Sequence, residues 1–338
     1  MSASERLVAA GEELPVISEP AAMFHDLASK VPKLENFLKK MSHRPLRVAT
    51  MCSGTESPLL ALDKIADATE KLFGSRLNVE HVFSCEIEPF KQAYIERNFS
   101  PPILFRDIRE LKEKQAYTAY GALVDVPGNV DILVAGTSCV DYSNLNNEQK
   151  GLNEQGESGQ TFRGMKAWIM RCKPPVVILE NVCGAPWQQI VDDFASFGYT
   201  ADFLRLDTKR YYIPHTRTRV YLLAVLGDDD EGVLAQWKEV VKQLERPSSS
   251  TLEAFLFDTD DPRVNKGRQD LALPGEKNTR AETDWGRCQS RHIRARVEEK
   301  LGQQRPFTHW DGGCQLPDYA WNDWGKAQTD RVLDLMDI

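Results

Sequence analysis

No CxxC pair occurs anywhere in these 338 residues, although there are seven cysteines. An odd set without paired spacing argues against a zinc site and against a disulfide framework, and points to reduced thiols inside a cell. No apolar run approaches the ~20 residues that a membrane span requires. The N-terminus lacks the basic flank and apolar core of a secretory signal. The glycine pattern GxGxxG is missing too, so a nicotinamide dinucleotide fits poorly. There is no internal repeat. What remains, 41% hydrophobic and 27% charged residues, suits a soluble globular protein with one large domain and a smaller lobe.

Net charge is −8, which argues mildly against a general nucleic-acid binder. Its distribution matters more. Arg263 to Arg305 holds eleven Lys/Arg against six acids, a local excess of five positive charges in an acidic chain. That stretch is either a solvated face or a phosphate-facing lobe.

The first twenty or so residues are acidic and interrupted by proline, and are expected to be poorly ordered. Phe24, Leu27, Val31, Leu34, Phe37 and Leu38 then recur near helical period, with Pro32 kinking or dividing the helix. Strands are predicted at Leu46–Met51, His81–Cys85, Asp131–Ala135, Val176–Leu179 and Val220–Leu226. Helices are predicted between them, at Pro58–Phe73, Pro89–Asn98, Thr161–Cys172 and Trp187–Phe197. This alternation implies an α/β, Rossmann-like, mainly parallel sheet with helices on both faces. It stops near residue 228. The expected domains are an N-terminal extension (1–44), a catalytic domain (45–228) and an irregular C-terminal lobe (229–338).

Chemistry-bearing residues gather where the strands run out. The first strand opens into Cys52-Ser53-Gly54-Thr55-Glu56-Ser57, a glycine turn before a helix N-terminus. The second ends in Glu86-Ile87, an acid suited to ribose hydroxyls beside an apolar cover for adenine. Asp107-Ile108 follows, with an acid suited to an adenine amino group. In this order the three sites point to an adenosyl cofactor. Cys139 lies just beyond Asp131–Ala135, in Gly136-Thr137-Ser138-Cys139-Val140-Asp141-Tyr142-Ser143, and Glu180-Asn181 ends the next apolar run. Neighbouring parallel strands would bring thiol and acid to one rim of the sheet, the minimum for covalent catalysis on an electron-poor ring.

With these residues in view, the chain resembles the cytosine-5 DNA methyltransferase family over roughly residues 45 to 228. Arg47 to Gly54 looks like the family's first motif. Glu86, Asp107, Cys139, Glu180-Asn181-Val182 and His215-Thr216-Arg217-Thr218-Arg219 follow in the family's order, with a typical separation between Cys139 and Glu180. The resemblance implies S-adenosylmethionine as cofactor and DNA as partner, with a base flipped out of the stack. It implies Cys139 as the nucleophile at carbon 6 of cytosine and Glu180 as the acid at the ring's N3 and amino group. Asn181 would position the Cys139 loop, Arg217 would orient Glu180, and Arg219 would support the loop and nearby phosphate. The implied location is the nucleus in a eukaryote and the cytoplasm otherwise.

Several residues depart from that pattern. Thr137-Ser138-Cys139-Val140 replaces Pro-Pro-Cys-Gln, so the loop is expected to be mobile or to need an activating protein partner, and Ser138→Pro is expected to preserve or raise activity. His215 replaces a Gln, and Cys52 replaces a Phe. The family's closing Gly-Asn segment is not found before Ile338, as if the chain were an excerpt or a shortened member. The helix at Met23–Met41 is one candidate to cover the cofactor face instead. Trp285, Trp310, Trp321 and Trp324 either stack on bases or form a small core. Two alternatives stay open: a tRNA cytosine-5 methyltransferase, and a catalytically silent homologue that binds DNA or a partner.

Overall fold

A computed structural model describes residues 14–142, 149–230, 232–250, 252–271, 285–300, 304–309, 314–320, 325–326 and 328–337. The chain divides into two compact units, Met1–Phe255 and Leu256–Ile338. Ser143 and the tryptophans 310, 321 and 324 lie outside the described residues, as does most of the N-terminal stretch expected to lack order.

The first unit is built on a seven-stranded sheet in the order β3-β2-β1-β6-β7-β9-β8. Its members are β1 (Leu46–Met51), β2 (Val79–Cys85), β3 (Leu104–Phe105), β6 (Ile132–Ala135), β7 (Val176–Asn181), β8 (Tyr199–Asp207) and β9 (Thr218–Leu226). β9 runs antiparallel to both β7 and β8, and the other pairings are parallel. A separate hairpin pairs β4 (Gln115–Tyr117) with β5 (Leu123–Asp125). The mainly parallel α/β expectation therefore holds, and β8 is an addition that the apolar runs did not reveal.

β1 is apolar almost throughout because both its faces are covered. Leu46 and Val48 face a cluster with Leu38, Ala66 and Leu77. Ala49 and Met51 face the main core, with Phe83, Leu133, Met165 and Trp168. Fully buried Trp168 meets Phe83 edge-on at 5.6 Å and donates its indole N–H to the Pro127 carbonyl at 3.2 Å. The covering helices include α3 (Ser57–Phe73), α4 (Pro89–Phe99), α5 (Glu157–Cys172) and α6 (Trp187–Ser196). α3 begins with proline in its first turn and ends at Gly74 in the left-handed region, the usual asymmetry of a helix.

The N-terminal pattern forms two helices, α1 (Pro20–Lys30) and α2 (Leu34–Met41), separated around Pro32 with Lys33 at φ 61°. α1 packs on α3. α7 (Val233–Gln243) also belongs to the first unit.

The second unit contains α8 (Pro262–Leu271), α9 (Trp285–Arg294), a π-turn at Ala295–Glu299 and α10 (Asp330–Met336). Its small core is Phe307, Ala320 and Leu333, packed with Cys314 and Leu316. Buried Asp334 pairs with Arg291 and His292. Among the described residues, no helix is long and apolar enough to cross a membrane.

Candidate active site

β6 and β7 lie side by side in parallel, with Ala135 opposite Leu179. Gly136 and Glu180 are therefore neighbours at the carboxyl rim, where ligands of open α/β sheets bind. A cavity of about 500 Å³ opens there. One part of its wall is Cys139, Glu180, Asn181, Arg217 and Arg219. Another is Cys52, Glu86, Ile87, Asp107 and Ile108. Residues separated by up to 167 positions thus line one space.

Five residues of the predicted cofactor loop do not line it. Ser53 donates its hydroxyl to Thr50 Oγ1 at 2.9 Å. Gly54, at φ +59°, turns its N–H onto Glu86 Oε2 at 2.8 Å. Thr55 and Ser57 share a hydroxyl contact at the surface. Glu56 is wholly buried, and its Oε1 accepts from Thr50 at 2.8 Å and Ser84 at 2.5 Å. Burial raises its pKa against the pull of those hydroxyls. No residue of α1 or α2 is in the cavity wall.

The Cys139 loop has no proline, yet it is braced at several points. The buried Asn181 side chain donates to the Thr137 carbonyl at 2.8 Å, to Thr137 Oγ1 at 3.1 Å and to the Ser138 carbonyl at 3.4 Å. The Ser138 N–H donates to Thr161 Oγ1 at 3.2 Å. Asp141 and Ser158 are joined reciprocally: the Asp141 N–H reaches Ser158 Oγ at 3.0 Å, and the Ser158 N–H reaches Asp141 Oδ2 at 2.7 Å. The last contact caps the first turn of α5 from a distant loop. Side-chain contacts thus stand where the family's prolines would otherwise constrain the loop.

The same geometry reverses the expectation for Ser138→Pro. Proline deletes the N–H that Thr161 accepts, a bond contributing about 1 kcal/mol. Lower single-turnover activity is expected than in the parent chain; equal or higher activity would show that the Thr161 brace is dispensable.

Glu180 sits between two guanidinium groups, with Arg219 Nε at 3.4 Å and Arg217 Nη2 at 3.7 Å from its Oε1. Burial raises its pKa, while Arg217 and Arg219 pull it back down. The result is a carboxyl group that keeps its proton to higher pH than an exposed glutamate. Cys52 shares the cavity with Cys139, but burial and then the Glu86 charge push its thiol up to about 12. It is held as a thiol at neutral pH, and the thiolate is the nucleophilic form.

In the cofactor part, Glu86 Oε1 accepts from the N–H groups of Ile87 at 3.0 Å and Glu88 at 3.1 Å, in addition to Gly54 on Oε2. Ile87 is 57% exposed, an apolar surface next to a buried carboxylate. Asp107 lines the cavity as well, and it carries a partner of its own. Its two oxygens accept from the Arg109 backbone N–H and from Nε and Nη2 of the same residue, at 2.6 to 3.0 Å. Burial raises its pKa, but the Arg109 contacts outweigh this and lower it. Three N–H groups of Arg109 thus occupy most, though not all, of the acceptor sites of this carboxylate.

A profile of the C-5 cytosine-specific DNA methylase family matches residues 47–311. The chain belongs to that family. The DNA (cytosine-5-)-methyltransferase DMT5 of Cryptococcus neoformans is 56% identical over 97% of this methylase chain and 14% of its own length. DMT5 of Verticillium dahliae is 32% identical over 86% of the chain and 15% of its own length. The bacterial Type II methyltransferase M.HaeII of Haemophilus aegyptius is 29% identical over 48% of the chain and 50% of its own length. The methylase chain therefore spans about a seventh of the DMT5 relatives it matches.

The sequence reading missed Thr161, Ser158 and Asp141 as braces of the methylase loop, and Arg109 as the partner of Asp107. Ser158 and Thr161, in the first turns of α5, were the available signal for the first group. Nothing in the sequence linked them to Cys139. Gly164 was missed as well. A Cβ there would come within 2.9 Å of the Ile108 carbonyl oxygen, so α5 packs directly on the backbone of the Asp107 segment. Gly164→Val is expected to cost about 1–3 kcal/mol through overpacking. Displacement of the Asp107 segment should also weaken ligand binding in the cavity that Asp107 and Ile108 line. Thermal denaturation and cofactor titration check the two effects; unchanged values in both would show that the helix accommodates the side chain.

Proposed function

We propose that the chain methylates carbon 5 of cytosine in DNA with S-adenosylmethionine, through a covalent bond from Cys139. One observation carries the reading: a thiol on a braced loop and an acid with a raised pKa line the same cavity. The cofactor set also fits. Glu86 is an anchored carboxylate with acceptor capacity left for ribose hydroxyls, and Ile87 offers apolar cover for a ring. When bound, S-adenosylmethionine supplies an electrophilic methyl group on sulfur.

Carbon 5 of cytosine is too weak a nucleophile to take that methyl group unaided. The Cys139 thiolate adds to carbon 6, and the ring electrons shift toward N3. Glu180 in its acid form donates to N3 and accepts from the exocyclic amine, which matches this edge of the base and stabilises the charge that develops there. Asn181 keeps the loop in place. Arg217 and Arg219 orient Glu180 and limit how far its pKa rises. Carbon 5, made enamine-like by the thiolate's addition, would take the methyl group; its proton would then pass to a water in the cavity, Glu180 would recover its proton from N3, and the carbon 6–sulfur bond would break to free Cys139 as a thiolate. The base must leave the duplex to reach the cavity, at a cost of roughly a few kcal/mol. In a nucleated cell this substrate implies a nuclear location.

The test is covalent trapping. Duplex DNA carrying 5-fluorocytosine cannot lose its 5-substituent, so with S-adenosylmethionine present it should remain attached to the protein through denaturing electrophoresis. Peptide mapping should place the link at Cys139. Adduct on folded RNA but not on DNA would move the reading to a tRNA substrate. No adduct on either would sink it.

A further inference from the structure

We propose that α1 is a positioning element for this reaction: Asp26, acting through Tyr212, holds the loop that presents Arg217 to Glu180. This rests on the reading of Glu180 given above. The loop leaves β8 at Asp207 and enters β9 at Thr218, so Arg217 stands at its far end. Its own bonds tie it locally. The Arg217 N–H donates to Thr208 Oγ1 at 3.1 Å and to Asp207 Oδ1 at 3.2 Å.

Arg210 pairs with Glu245, and the Tyr211 hydroxyl donates to the Val241 carbonyl at 3.2 Å, so the loop is also tied to the segment around α7; its link to α1 is Tyr212. This residue is 1% exposed and stands at φ +68°, a left-handed conformation that an aromatic residue takes only when its surroundings impose it. Its hydroxyl donates to the Asp26 carboxylate of α1. Its N–H donates to the Arg246 carbonyl at 2.8 Å. The buried Arg246 guanidinium lies 5.2 Å from the Tyr212 ring centre and donates to the Pro15 carbonyl at 2.5 Å, just ahead of α1. Ser250 then donates to the Ile17 carbonyl at 3.0 Å. The chain ahead of β1 thus grips both the arginine loop and the segment after α7. A helix serving only to pack against α3 would need none of these polar contacts to the loop.

The proposal predicts a specific change when the grip is released. With the loop loosened, Arg217 spends less time beside Glu180. The carboxyl then loses part of the positive field that opposes its burial. Arg219 on β9 remains, with Tyr221 further along the same strand.

The experiment uses the full chain with Asp26→Ala, Tyr212→Phe, Arg217→Ala and the Asp26→Ala/Arg217→Ala double variant. Lys39→Ala on α2, whose ammonium pairs with Glu35, is the control. Two quantities are read: the rate of adduct formation on 5-fluorocytosine DNA at saturating cofactor, and the titration midpoint of the Glu180 carboxyl carbon by NMR. Asp26→Ala and Tyr212→Phe should each slow the adduct step about tenfold, in keeping with the sensitivity of catalysis to small misplacements. Both should raise the Glu180 midpoint by about half a unit, through loss of a nearby opposite charge. Cofactor affinity should stay within about twofold of the parent, and the double variant should be no slower than Arg217→Ala alone.

Lys39→Ala should match the parent. An unmoved Glu180 midpoint in Asp26→Ala and Tyr212→Phe overturns the proposal, as does a double variant that adds the two losses in full. If the parent itself forms no adduct, the methyl-transfer reading fails. The NMR midpoint still decides whether α1 holds the arginine loop.

Discussion

Cys139→Ser should abolish adduct formation with 5-fluorocytosine DNA and lower methyl transfer by at least about a thousandfold, the scale expected when a covalent nucleophile is lost. A serine hydroxyl occupies nearly the same space, so the loop should keep its braces from Asn181 and Thr161. S-adenosylmethionine affinity, read by calorimetry, should therefore change little. Among the described residues, Cys52 and the buried Cys85 are the other thiols in the cavity wall. Burial and Glu86 hold Cys52 protonated, with a pKa of about 12, so it cannot substitute. Cys52→Ser should leave the adduct in place. An adduct that survives Cys139→Ser would assign the chemistry to another residue.

The second large effect is expected at Glu180. Glutamine mimics the protonated acid in shape: its amide donates to N3 and accepts from the exocyclic amine. It cannot follow the charge that develops at N3 by giving up a proton. Glu180→Gln should therefore keep much of the affinity for DNA carrying a flipped-out cytosine while lowering the single-turnover rate by about 10²–10⁴-fold. Glu180→Ala should lose both. The pH dependence separates proton transfer from hydrogen bonding. Glu180 has a raised pKa, so its acid form persists to higher pH than in the unfolded chain. Arg217 opposes that rise, so Arg217→Ala should move the Glu180 limb of the rate profile to still higher pH. In Glu180→Gln that limb should be gone. A profile unchanged by both substitutions would show that another group sets it.

The sequence displayed the architecture where a strand has a fully buried face and missed it elsewhere. β1 read as an apolar run because both its faces are covered, and β6 and β7 because each turns one fully buried face to the main core. β8 did not. Tyr199–Asp207 mixes Asp202 and Arg205 with Ala201, Phe203 and Leu204, and most of the strand is only half-buried, at the sheet's edge. β3 is two residues long, too short to give any period.

The site divides in the same way. Cys139, Glu180 and Glu86 stand at the ends of readable strands, so topology alone brought them to one rim. Their supports were not legible. Thr161 braces Ser138 from 23 positions away, and Asp26 reaches Tyr212 across 186. Such contacts leave no periodic trace, because a single polar atom rather than a repeating face makes each one. Asp107 stands at a strand exit that was legible, but its partner Arg109, two residues on, was not.

The clasp between Asp141 and Ser158 has an effect on how lesions in this protein will look. A Cβ on Gly156 would fall 2.3 Å from Asp141 Oδ2, so any bulkier side chain there must evict that carboxylate. The sulfur's perch is bolted to the head of a helix seventeen residues downstream. Damage at 156 or 158 will consequently imitate a failure of the chemical step: an intact fold, a thiol present, and no turnover.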